Sequence, residues 1–109
     1  AELLPWVRTL PANAVVATDD EALVWLYSGR RAVPLYLYSY HGRNTVEPDA
    51  ATHRAYLERQ GATYVLLASP SGEAGRELHA LIVAYPHWLA AVQRWPGGRW
   101  AFAVTRDVR

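Results

Sequence analysis

Apolar residues along the chain fall into short blocks whose spacing switches between the periods of strands and helices. Residues 14–17 form an apolar run between Asn13 and Thr18, which predicts a first strand. Thr18 and Glu21 then stand at capping-box spacing, with Asp19 and Asp20 where carboxylates favour the positive end of a helix dipole. Ala22, Trp25 and Leu26 recur at helical spacing with Leu23 and Tyr27 beside them, so a helix over 20–28 follows, ended by Gly29. Residues 31–38 alternate: Val33, Leu35 and Leu37 point one way, Pro34, Tyr36 and Tyr38 the other. Pro34 has no amide hydrogen to donate, which places this second strand at an edge or at a bulge.

After a polar loop over 39–48, Asp49 caps a helix over 50–60 that Gly61 closes. Ala50, Arg54 and Leu57 share its expected inner side, Arg54 stretching its charged head towards water. Residues 62–68 are almost unbroken apolar, the pattern of a central strand buried on both faces of a parallel sheet. A turn over 69–75 leads to a helix over 75–85, where Leu78, Leu81, Ile82 and Tyr85 form one stripe before Pro86 stops it. Segments 88–95 and 99–106 flank Pro96-Gly97-Gly98, a hairpin signal, with Trp100, Phe102 and Val104 on one face. Residues 2–10 read as a short helix or docked arm bracketed by Pro5 and Pro11. The order β-α-β-loop-α-β-α-β-β predicts an α/β fold in two or three layers. It is a small Rossmann-like sandwich whose mixed sheet ends in a C-terminal antiparallel hairpin, with no repeat, linker or second domain.

Composition narrows the classes. A chain of 109 residues, 51% hydrophobic, suits one domain with a real core and excludes a disordered tail. Without cysteine there is neither a disulfide framework nor a thiolate metal site. All 11 basic residues are Arg, and 10 acids leave a net charge of +1. The basic residues are scattered rather than striped, so nucleic acid is not an expected partner. No apolar run is long enough to span a bilayer, and no secretion-signal pattern opens the chain. The lack of Met suggests a mature product or a domain excised from a larger protein.

Three groups of residues are candidates for chemistry. Asp19, Asp20 and Glu21 follow the first strand, where ligands bind in open α/β sheets. Paired carboxylates there suit a metal or acid–base work, and equally suit plain helix capping. Tyr38, Tyr40, His41, Arg43 and Asn44 gather aromatic faces beside a guanidinium and an amide, a set suited to a sugar or a phosphate. An ordinary exposed loop, or one packed on another part of a larger protein, fits them too. His53, His79 and His87 lack metal-ligand spacing, and His53 and His79 read as surface or boundary residues of separate helices. Ser69-Pro70-Ser71-Gly72 is a turn, not a nucleophile elbow. No nucleotide-binding fingerprint is present, and neither a cofactor nor a metal is expected. The rings of Trp6, Trp25, Trp88, Trp95 and Trp100 suit core and hairpin packing, with some left for a membrane surface or a partner.

A family likeness emerges from several of these pieces together. They are Trp6-Val7-Arg8, the run from Pro11 to Val16, Tyr27-Ser28-Gly29-Arg30, the run from Gly61 to Leu67, and Phe102-Ala103-Val104. In that order the chain resembles the C-terminal soluble extracytoplasmic domain of bacterial polytopic membrane glycosyltransferases. These enzymes depend on lipid-phosphate-linked sugars, as dolichyl-phosphate-mannose mannosyltransferases do. The likeness implies a domain that follows the last transmembrane helix on the extracytoplasmic face of the cell membrane. The family's catalytic acids lie in an early loop of the membrane part, to which no segment here corresponds, so no catalytic residue is carried over. Its implied partners are the transmembrane part of its own parent protein and a sugar or lipid-phosphate acceptor, met by Arg43 and Tyr40.

Two other readings stay open. One is a small interaction domain that forms a homodimer through an apolar face around residues 88–100. The other is a stand-alone enzyme that brings Asp19, Asp20 and His41 into one cleft.

Overall fold

A computed structural model describes residues 3–35, 49–68 and 73–105. Its elements are α1 (Leu3–Arg8), β1 (Val15–Thr18), α2 (Glu21–Ser28), β2 (Arg31–Pro34), α3 (Ala50–Arg59), β3 (Tyr64–Leu67), α4 (Glu73–Ala84), β4 (Leu89–Trp95) and β5 (Arg99–Val104). The strands form one mixed sheet in the order β2-β1-β3-β5-β4, with β1 parallel to β2 and β3, and β5 antiparallel to β3 and β4. This is the expected α/β sandwich with its terminal hairpin, and Pro34 does sit on an edge strand.

Handedness decides the layers. The chain steps from β1 outward to β2, then back across β1 to β3. Right-handed crossovers in opposite directions require α2 and α3 to lie on opposite faces of the sheet. The two cores agree. Val16, Leu66 and Ala101 join Leu3, Val7 and Val24 under α1 and α2. Their strand neighbours Ala17, Val65 and Phe102 join Leu57, Leu78 and Leu81 under α3 and α4. Alternation along each strand therefore feeds both faces, as a central strand requires. The helix ends follow local chemistry. Asp49 accepts the Thr52 amide at 2.7 Å, and Gly29 ends α2 in the left-handed region at φ 71°.

Three sequence expectations are corrected. The cap of α2 is Asp20, whose carboxylate accepts the Leu23 amide at 3.3 Å, while the hydroxyl of Thr18 accepts the Asp20 amide instead. The face of α2 turned inward is that of Val24, not that of Ala22, Trp25 and Leu26, because α1 and the sheet occupy that side. The buried residues of α3 are His53 and Leu57. Arg54 does not run out into water; its guanidinium lies 4.6 Å from the ring centre of Tyr85 and 4.8 Å from that of Trp88, within cation–π range. In the hairpin Trp88 and Trp95 are buried, Trp100 is half-buried, and residues 90–94 of β4, a bulged edge strand, are exposed.

Candidate functional site

The strand order reverses direction between β1 and β3, and ligands of open α/β sheets bind at the carboxyl ends of strands beside such a point. Here that position is filled by Thr18, Asp19, Asp20 and Ala68. Thr18 is fully buried, and its hydroxyl hydrogen-bonds Asp19 at 3.4 Å and the Asp20 amide at 3.2 Å. Asp20 faces back into its own helix as the cap. Asp19 reaches across the sheet, and its carboxylate accepts the Ala68 amide at 2.7 Å just beyond the end of β3. The parallel ladder of β1 and β3 ends at Thr18 and Leu66, so Asp19 extends the pairing by one side-chain bond. Both acids are thus adjacent at the predicted place and both are held by backbone amides. No group of three or more His, Asp or Glu side chains suited to a metal occurs among the described residues.

Of the other predicted site residues, Tyr38, Tyr40, His41, Arg43 and Asn44 lie outside the described residues. Beside the carboxyl end of β3, on the α4 side, an open groove of about 450 Å³ is walled by Leu67, Leu78, Ile82, Trp100 and Phe102, with His79 at its margin. Its lining is overwhelmingly apolar.

Sequence reasoning missed the buried pair of His53 and Glu77. His53 is 2% exposed and stands on α3 one turn before Leu57. Its Nε2 donates to the carbonyl of Leu35, and its Nδ1 lies 3.9 Å from a carboxylate oxygen of Glu77 on α4. Burial lowers the His53 pKa from 6.5, opposed by the Leu35 carbonyl and by Glu77. The ring is therefore neutral at pH 7, with its proton on Nε2. Tyr56, further along α3, donates its hydroxyl to the Pro34 carbonyl at 3.1 Å. Together the two rings latch α3 to the exit of β2, where the segment carrying Tyr38 to Asn44 begins. The spacing of His53 and Leu57, four residues apart, was the available signal, but a polar residue at that position reads as exposed.

A second surface lies on the α1–α2 side. Trp25, Leu26 and Tyr27 are 58%, 75% and 53% exposed. Tyr27 also borders a shallow depression of about 430 Å³ with Leu4, Pro5 and Arg8.

This architecture has a solved counterpart. The C-terminal globular domain of an oligosaccharyltransferase from Archaeoglobus fulgidus matches over 95% of this chain and 95% of its own, with a TM-score of 0.54 and 10% identity. At that identity the likeness is one of fold. No family model matches the chain, and no curated protein does. No helix among the described residues is long and apolar enough to cross a membrane.

Proposed function

We propose that the chain is an accessory extracytoplasmic domain of a membrane glycosyltransferase-like protein. The parent would be of the bacterial, lipid-phosphate-sugar-dependent, mannosyltransferase-like kind, and the domain would not transfer sugar alone. The observation that carries the proposal is the end-to-end match of fold with the C-terminal globular domain of an oligosaccharyltransferase. The motifs from Trp6 to Val104 lead independently to the same kind of parent. Asp19 and Asp20, engaged by the Ala68 and Leu23 amides, favour a role in holding the fold over one as acid and base.

In this role the domain shapes the acceptor side of the parent's site. Arg43 pairs with a phosphate through its guanidinium fork, and Tyr40 stacks on a sugar ring, with Tyr38, His41 and Asn44 beside them. The test uses membranes from cells expressing the whole parent gene and a polyprenyl-phosphate-linked sugar as donor. Deleting the stretch equivalent to this chain lowers transfer by about tenfold or more, and Arg43→Gln with Tyr40→Ala raises KM for acceptor more than it lowers kcat. A parent gene product that fractionates away from membranes, or transfer undiminished by the deletion, overturns the proposal.

A further inference from the structure

From Ala22 to Tyr27, α2 is apolar on every side, yet only Val24 is fully buried. A helix hydrophobic all round is normally enclosed. Single exposed apolar residues are common on protein surfaces, but three large ones in succession make a continuous patch. Tyr27 joins that patch to the depression formed with Leu4 and Pro5.

We propose that this outer face of α2 docks onto an anionic lipid bilayer. The side chains match the layers of such a surface. Trp25 and Tyr27 carry a polar tip on an apolar ring, the combination that settles at headgroup level, and Leu26 between them enters the acyl boundary.

The charges complete the match. Arg8, at the end of α1, donates from Nε to the Tyr27 carbonyl at 3.0 Å. Arg30 donates to the carbonyls of Leu10, Arg8 and Ser28, which pins its guanidinium at the same corner, and Arg31 follows at the start of β2. Among the described residues α1 carries no acid, and the acids of α2, Asp20 and Glu21, stand at its far end. Cations grouped beside an aromatic patch pair with phosphate headgroups. A second copy is a poorer occupant, since a two-fold contact through this face sets Arg8, Arg30 and Arg31 against the same residues of the other copy.

The inference rests on the accessory-domain reading only for bringing the domain beside a bilayer. Its test therefore contains no glycosyl donor or acceptor, so vesicle binding and sugar transfer succeed or fail separately. The full chain is centrifuged with vesicles of phosphatidylglycerol and phosphatidylcholine in equal parts, and with vesicles of phosphatidylcholine alone. Binding to the first is expected, weakening as salt is raised, with a blue shift of Trp emission. Leu26→Ser, at the most exposed position, lowers partitioning about tenfold, and Trp25→Ser with Leu26→Ser about a hundredfold. Arg8→Gln with Arg31→Gln removes the preference for the anionic vesicles. Circular dichroism checks that each variant keeps its fold. A wild-type chain left in the supernatant with both vesicle types overturns the proposal, as does a Leu26→Ser variant that binds like wild type. So does a dimer in solution that the same substitution dissociates, which would make a second copy the occupant.

Discussion

Asp19 offers the sharpest test of how the switch point is used. If its carboxylate is a clamp, Asp19→Ala removes a charge-assisted bond to the Ala68 amide at 2.7 Å. Such bonds contribute roughly 1.5–3 kcal/mol net, and Asp19 is half-buried, so water recovers part of the loss and about 2 kcal/mol is expected. Asp19→Asn keeps a neutral acceptor in nearly the same place and costs about 1 kcal/mol. At this chain length the alanine variant melts about 10 °C lower. Urea unfolding followed by Trp fluorescence checks the sequence wild type, Asn, Ala through midpoints at constant slope. An alanine variant within about 0.5 kcal/mol of wild type refutes the clamp. A variant more stable than wild type refutes it more strongly, because acids held for a ligand are commonly kept at the expense of stability.

His53 supplies a pH dependence. Its folded pKa lies below 6.5 because burial disfavours the charged ring, so the unfolded chain binds more protons between the two values. Stability is therefore full above pH 6.5 and falls as pH drops through the folded value, and His53→Gln should flatten that part of the curve in urea midpoints taken from pH 7.5 down to 5. Gly29→Ala should destabilise by about 1 kcal/mol because φ is 71° there, although nothing lies within 4 Å of the added methyl, and Gly29→Asn should be milder. Thermal melts of the two variants separate backbone strain from crowding.

Much of the architecture was legible in local pattern. The apolar runs of β1 and β3, the alternation along β5, the Pro-Gly-Gly hairpin and the caps at Asp49 and Gly29 depend on neighbours within a few positions, so the sequence states them directly. Pro34 announced an edge or a bulge because a missing amide hydrogen is a property of the residue itself, and the strand lies at the edge. The site was legible only in part. The pairing of Asp19 and Asp20 at the end of β1 followed from order along the chain, but the bond from Asp19 to Ala68 links residues 49 apart and has no sequence signature.

What the sequence determined alone is the set of elements, their order and some of their end signals, such as Asp49 and Gly29. Only the tertiary structure decided which side of each element is inside. In α2 nearly every side is apolar, so periodicity could not choose, and the placement of α1 and the sheet put Val24 inward and left Trp25, Leu26 and Tyr27 outside. In α3 a histidine is buried because the carbonyl of Leu35, just beyond β2 and 18 residues away, accepts the proton of its Nε2. Burial depends on what arrives from elsewhere in the chain, and residues near in sequence do not carry that information.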